Sequence, residues 1–364
     1  METPDKHHLI IYYFSGTGNA QNVAGWCAEY AKKNGWNAEV KNIAETDRYT
    51  IPEPPPGSMI GFCSPTHGFN LPPIVLRFIR HFPRGNKNRV WIVNTRAGFK
   101  IWKLFLPGLT GIGQMWAVFL LRIKNYRITG MRPVDLPSNW ISLHPGCRKK
   151  VVESITWRCY YQSVRFINKM IIGKKDYRAL FDIVQDLLVS PVAIAYYFIG
   201  RFFLSKTYIA SKECNGCGLC IKNCPVGAIK ELDKRPYWTL KCESCMKCLN
   251  NCPRRAIETP HGFITVVLYL IFTVGMESLY FLATALIKNG TILSILNNSL
   301  IRFLIGSALA IPFLLLSYHV VHLLMRYPFF ERLVTLTSLT HFRFWRRYKA
   351  VQDIPGQSSD IAPV

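Results

Sequence analysis

A chain of 364 residues has room for about two domains of ~150 residues each. With 49% hydrophobic residues and a mean hydropathy of +0.12 it is too apolar for two ordinary soluble domains, so part of it is expected to meet lipid. Disorder is excluded, because chains that stay unfolded are poor in apolar and aromatic residues. Lysine and arginine number 45 against 21 acids, a formal net charge of +24. The cations are dispersed and no nucleic-acid reading motif accompanies them, so the excess points to anionic lipid, which attracts each juxtamembrane cation by about 1 kcal/mol, and not to nucleic acid. Twelve cysteines in a chain of this size are too sparse for a disulfide scaffold, yet eight fall between residues 214 and 252, a concentration that points to metal chemistry.

The first element is His8 to Phe14 (HLIIYYF), a short apolar, β-rich run that stops at Ser15-Gly16-Thr17-Gly18-Asn19-Ala20. The run is shorter than the about 7 to 15 apolar residues of a secretory signal. The amino terminus is therefore expected in the cytoplasm, where thiols stay reduced and clustered cysteines read as ligands. From Gln21 to Lys33 the residues Val23, Trp26, Cys27, Tyr30 and Ala31 recur on one helix face. Strand, tight loop and helix together present backbone N–H groups and hydroxyls at a helix amino terminus, where the dipole also favours an anion. The same loop could equally be a helix cap without a ligand; it has neither the lysine of GxxxxGKS/T nor the GxGxxG spacing.

Ala38 to Ile43 reads as a second strand, Met59 to Cys63 and Val90 to Val93 as buried strands, and Tyr126 to Val134 as a fifth, with helical patterns between them such as Pro72 to Phe82. The third and fourth strands end in polar loops, Ser64-Pro65-Thr66-His67-Gly68-Phe69-Asn70 and Asn94-Thr95-Arg96-Ala97-Gly98-Phe99. Alternating strands and helices make an α/β doubly wound parallel sheet whose ligand sits beyond the carboxyl ends of the strands. All three loops land there.

At these residues the chain resembles flavodoxin, over about 1–145. The resemblance implies FMN, with its phosphate in Ser15 to Ala20 (Ser15, Thr17 and Asn19 as ligands) and its ring between Pro65, Thr66, His67, Gly68 and Phe69 on one side and Asn94, Thr95, Arg96, Ala97, Gly98 and Phe99 on the other. His67 or Phe69, and Phe99, are the candidates to flank the ring, and Gly68 matters for a peptide that a glycine can reorient. Two departures stand out: Ala20 replaces a threonine hydroxyl common in flavodoxins, and a flanking pair of Trp and Tyr is not evident. Cys27, Cys63, Cys147 and Cys159 lack metal spacing and are expected to pack as small hydrophobes.

Residues 146–206 read as the last helix of this domain and a helical connector. Within them the apolar stretch Leu187 to Leu204, like Leu109 to Leu121 earlier, is expected to be a buried or interfacial helix. Over 207–259 the run Cys214-x2-Cys217-x2-Cys220-x3-Cys224-Pro225 repeats as Cys242-x2-Cys245-x2-Cys248-x3-Cys252-Pro253. Three thiolates at those intervals wrap three irons of a cubane, and the other run reaches the fourth iron. One [4Fe-4S] cluster is thus expected on Cys214, Cys217, Cys220 and Cys252, the other on Cys242, Cys245, Cys248 and Cys224. The pattern is similar to that of the bacterial two-cluster ferredoxins, an α+β module. A zinc ribbon leaves the third and fourth cysteines of each run without a role.

Phe263 to Ile287 and Phe303 to Met325 are each longer than the ~20 residues that cross a hydrocarbon core, and read as a transmembrane hairpin over 263–326. Cations concentrate after the second span, in a basic tail at 327–364, so the positive-inside rule puts both ends, and the redox modules, on the cytoplasmic side of the inner membrane. Glu277, Tyr318, His319 and His322 are ionisable groups in or near the spans and hence candidates for a quinone headgroup site, or else interfacial and paired groups. The whole resembles flavodoxin–ferredoxin fusion proteins of anaerobic microbes, with the hairpin added. It implies a membrane-anchored electron-transfer protein whose partners are membrane lipid and a redox protein or quinone. A flavin-dependent reductase of a small substrate, fed by the clusters, is the alternative; a lipid-tethered sensing module is a third reading.

Overall fold

The computed structural model describes residues 7–286, 294 and 298–351. Five strands, β1 (His8–Tyr13), β2 (Asn37–Asn42), β3 (Met59–Pro65), β4 (Arg89–Ile101) and β6 (Arg127–Pro137), pair in parallel in the order β2-β1-β3-β4-β6. This is the flavodoxin-like order of a doubly wound sheet. β3 is buried along its whole length, as a central parallel strand covered on both faces must be. Helices α1 (Asn19–Lys33) and α4 (Lys149–Ile171) cover one face through Val23, Cys27, Cys159 and Phe166; α2 (Pro73–His81) and α3 (Gly113–Ile123) cover the other through Val75, Phe78, Ala117 and Leu121.

The fourth strand differs from expectation. Asn94 to Phe99 is not a loop: β4 continues through it, pairing with β6 at Arg96↔Asp135, Ala97↔Leu136 and Gly98↔Pro137, and then with the short antiparallel β5 (Leu104–Leu106) at Phe99↔Leu106. A polar sequence survives in a buried strand because its charge is matched, with Arg96 Nε 2.5 Å from Asp135 and Nη1 2.6 Å from Asp182.

The connector forms one continuous helix, α5 (Arg178–Ser205), with a π-helical turn at Tyr196–Gly200. Its polar and small residues Asp186, Ser190 and Ala193 turn inward, and Asp186 accepts a 2.9 Å bond from Gly111 N–H. Its apolar residues turn outward: Leu187 is 71% and Leu188 76% exposed. The stretch 187–204, expected to be buried or interfacial, is thus a helix that turns its apolar face outward. α5 is long and apolar enough to cross a membrane by length and composition, but the modules on either side of it touch, which a crossing helix would prevent. α3, in the other ambiguous stretch, buries Ala117 and Leu121 and exposes Trp116 and Phe119.

The cysteine-rich module pairs β7 (Ile209–Ala210) with β10 (Ile257–Glu258) and folds β8 (Ile229–Leu232) onto β9 (Arg235–Trp238). Its duplication is structural as well: α6 (Leu219–Lys222) and α7 (Lys247–Asn251) both start after a left-handed residue, Gly218 and Met246.

α8 (His261–Leu286) is long and apolar enough to cross a membrane by length and composition, and α9 (Ser299–Leu324) comes next. Ile287, most of the expected connection and residues 352–364 lie outside the described residues. The basic tail is not free where it is described. α10 (Pro328–Leu336) supplies Glu331 to Lys212 N–H at 2.8 Å. Residues 342–351 then form a strap in which Trp345 donates to Ile141 O at 2.7 Å and Arg347 to Ile257 O at 2.7 Å.

Candidate redox site

The carboxyl ends of β3, β4 and β6 open onto a cavity of about 350 Å³, within the usual range of ligand pockets. Pro65, Thr66, Gly68 and Phe69 form one wall, Thr95, Arg96, Ala97 and Phe99 another. The resemblance predicted these two walls. It did not predict the third, Ser138-Asn139-Trp140 with Leu143 and His144. The signal was available, since a fifth strand ending near Val134 must deliver its loop to the same edge of the sheet.

Not every expected residue faces the cavity. His67 is buried beside it, its ring 6.4 Å from those of Phe14 and Trp140, and burial pushes its pKa down to about 4. Asn94 lies beneath, donating to Thr66 Oγ1 at 2.6 Å, while its own Oδ1 is buried without a partner among the described residues. Arg96 is occupied by its two aspartates. Distant parts of the chain do bring an aromatic pair close by, Trp140 and Tyr196 of α5 with rings 5.7 Å apart, but of the two only Trp140 lines the cavity. Gly68, at φ +52°, is required here, because a Cβ on it would lie 2.0 Å from the Tyr196 ring.

Ser15 to Ala20 forms the expected turn into α1, with Gly18 at φ +103°. Its side chains are already stapled: Ser15 Oγ accepts from Gly18 N–H at 3.0 Å, Asn139 donates to Thr17 Oγ1, and Asn19 donates to Pro137 O at 3.1 Å while accepting from Tyr348 of the strap. In these bonds the Ser15 and Thr17 hydroxyls only accept, so their O–H groups remain for an anion, beside the opening N–H groups of α1, which have no intrahelical partner. A cavity of this size, an orphaned amide oxygen beneath it and a helix amino terminus at its edge fit a flavin mononucleotide. Phosphate contact would draw on the backbone N–H groups together with the Ser15 and Thr17 hydroxyls.

Cys214, Cys217, Cys220 and Cys252 line one small cavity of about 80 Å³. Cys242, Cys245, Cys248 and Cys224 lie within electrostatic reach of one another. Cys224 Sγ accepts from Ala228 N–H at 3.2 Å and Cys242 Sγ from Ser244 N–H at 3.4 Å, the kind of bond that tunes cluster potential. Among the described residues no three His, Cys, Asp or Glu converge on a single ion; a cubane does not ask them to, because its four thiolates stand around a four-iron core. The donor set fits such a core. Cys27, Cys63 and Cys159 are buried in the first domain, where burial pushes the thiols of Cys27 and Cys159 up to about 12, and Cys147 is half-buried.

The second cysteine run sits on the phosphate loop. A Cβ on Gly16 would lie 2.2 Å from Cys245 O, so only glycine allows this approach. Around it Trp140 donates to Ser244 O at 3.2 Å, Ile74 N–H to Glu243 at 3.2 Å, and Arg77 pairs with Glu243 at 2.8 Å. Burial raises the Glu243 pKa to about 7 despite that partner.

The membrane candidates separate. Tyr318 is buried, donating to Tyr208 O at 2.9 Å, and His319 and His322 stand 6.4 and 5.0 Å from the Tyr237 ring. Glu277 lies in α8 about 24 Å along the axis from His261 by helical rise.

Residues 213–257 match the family profile of a 4Fe-4S dicluster domain, so an iron–sulfur module of that type is part of this chain. Comparison with curated proteins gives no match. Among solved structures the chain is similar to the rubredoxin oxygen:oxidoreductase of Desulfovibrio gigas, with 13% identity and a TM-score of 0.30 over 46% of this chain and 38% of that one. It is also similar to an oxidised flavodoxin 1 of Bacillus cereus, with 16% identity and a TM-score of 0.30 over 44% and 97%, and to a flavodoxin from the domain Archaea, with 11% identity and a TM-score of 0.28 over 44% and 97%. The chain thus spans well under half the length of the first of these. The flavodoxin-like assignment rests on the order and register of the five parallel strands.

Proposed function

We propose that the chain is a membrane-anchored electron-transfer protein that holds FMN in the cavity beyond β3, β4 and β6 and two [4Fe-4S] clusters, one on Cys214, Cys217, Cys220 and Cys252 and one on Cys242, Cys245, Cys248 and Cys224. α8 and α9 anchor it in the cytoplasmic membrane with both redox modules on the cytoplasmic side, and it exchanges electrons with a membrane partner or quinone. The observation that carries this reading is the contact of Gly16 with Cys245, which brings a cluster-ligand run against the phosphate loop. When bound, FMN takes two electrons and releases them singly, and each cubane carries one.

The residues supply placement. Trp140 walls the ring cavity and donates to Ser244 O of the cysteine module, and the ion pair of Arg77 with Glu243 fixes the docking. The strap, through Tyr348 and Asn19, closes the phosphate loop against water.

An anaerobic reductive titration tests the reading. The flavin and cluster bands are expected to bleach and recover together, and Cys245→Ala, keeping flavin and about four of about eight irons, is expected to lose that exchange. A flavin band that never responds while the cluster bands cycle contradicts it.

A further inference from the structure

A second cavity, of about 320 Å³, lies on the membrane side of the redox modules, and the path from flavin to clusters does not use it. α5 contributes Phe203, α8 contributes Phe263 and Val267, and α9 contributes Tyr318; the floor is Trp140 and Lys206. Its surroundings are apolar and face outward: Val266 is 57%, Leu316 63% and Phe198 64% exposed, so the approach is from the lipid phase if α8 and α9 are embedded in it.

Three features define the occupant. The walls are mostly aliphatic, but Trp140, Tyr196, Phe203, Phe263 and Tyr318 add aromatic faces on which a flat conjugated ring can stack. Lys206 is buried, its ammonium 4.5 Å from the Tyr318 ring centre and 4.9 Å from that of Tyr237, and among the described residues it has one acceptor, Trp238 O; an ammonium carries three donors, so an acceptor on the ligand would be served. Finally, Trp140 and Leu143 line this cavity and the flavin-sized one alike, so a single layer of side chains separates them. A lipid acyl chain would use neither the ammonium nor the shared wall.

We propose that this cavity binds the ring of a membrane quinone, with Lys206 donating to a ring carbonyl and the tail leaving between α8 and α9. The assignment rests on the electron-transfer reading and narrows it. Of the candidates expected for a quinone site, Glu277, Tyr318, His319 and His322, it keeps Tyr318 and adds Lys206 and Trp140.

The test is photolabelling of the full chain in lipid nanodiscs with an azido-naphthoquinone bearing one isoprenyl unit, followed by peptide mapping. Label is expected in peptides containing Trp140, Lys206, Val267 and Tyr318. Val267→Trp, which fills the cavity, is expected to lower it by about tenfold or more, and Lys206→Met by several-fold, while Val266→Trp on the outward face leaves it unchanged. Label that is absent, spread evenly over α8 and α9, indifferent to Val267→Trp, or displaced by excess lysophospholipid overturns the assignment, the last in favour of an acyl chain. Labelling needs no electron. Iron and flavin counted on the same sample therefore separate a failed quinone site from a failed electron-transfer reading.

Discussion

Gly68 shows how one atom can matter at this site. With the Tyr196 ring 2.0 Å from where a Cβ would stand and φ at +52°, Gly68→Ala must displace Tyr196 or shift the loop of Thr66, Gly68 and Phe69 that walls the ring cavity. Flavin retention after gel filtration is expected to fall several-fold, with iron content unchanged; full retention would show that the Tyr196 contact is dispensable. His67 gives a pH dependence. Its pKa of about 4 in the fold, held down by burial, lies below the ordinary value near 6.5. Between those values the unfolded chain binds more protons, so stability falls as pH drops from 6.5 towards 4. The shift makes the native protein about 2 kcal/mol less stable at pH 5 than at pH 7 through this residue alone. Denaturant melts of His67→Gln should lose that part of the acid limb, and an unaltered limb would show that His67 is not the group responsible. Which residues would matter was only partly legible in the sequence. The eight cluster cysteines announce themselves by spacing, and Gly68 by lying in a loop at a strand's carboxyl end. Tyr196 could not be read as a partner of Gly68, because their contact spans 128 positions and is made by a helix whose composition suggested only apolar packing.

At the level of elements, the buried ion pairs tie β6 to the chain that leaves α4. Asp176 bridges Arg132 at 2.9 Å and Lys169 at 2.9 Å and pairs its backbone with Thr129 and Met131 of β6. Burial alone would raise its pKa, but the Lys169 and Arg132 charges hold its carboxyl below the usual range. Its stabilisation is therefore complete above about pH 4 and is lost as pH falls further, through its folded value. Asp176→Asn leaves Arg132 buried without its counter-charge and is expected to cost about 3 to 5 kcal/mol in a denaturant melt at neutral pH; a change below about 1 kcal/mol would mean that the ion pairs of Asp176 do not hold the tie. The strap after α10 is a second element with a testable part. Tyr348, 2% exposed, ties the phosphate loop through Asn19. Tyr348→Phe is expected to weaken flavin retention without altering iron content, and unchanged retention would assign the strap to the iron–sulfur module alone. The parallel sheet was legible from its apolar runs. The continuation of β4 was not, because Asn94-Thr95-Arg96 looks like a loop until Asp135 and Asp182 arrive from elsewhere to match its charge.

Across the whole molecule, the cysteine module does not hang from a linker. It docks on the loops of the parallel sheet through Glu243, Trp140 and Cys245, under the strap that follows α10. That arrangement explains the composition: α5, α8 and α9 carry the apolar excess on outward faces, while the twelve cysteines divide between two runs of ligand spacing and four thiols packed like small hydrophobes or half-buried. The cysteine runs and the long apolar helices could be anticipated one by one. Their mutual placement could not, because docking is decided by surfaces whose pairing leaves no periodic trace in the chain. The most direct measurement is an iron, sulfide and flavin count on one anaerobic preparation of the full chain. The account predicts about eight irons, about eight sulfides and one FMN per chain. A preparation that holds about four irons or fewer after reconstitution, or one that binds both clusters and no flavin, would contradict it.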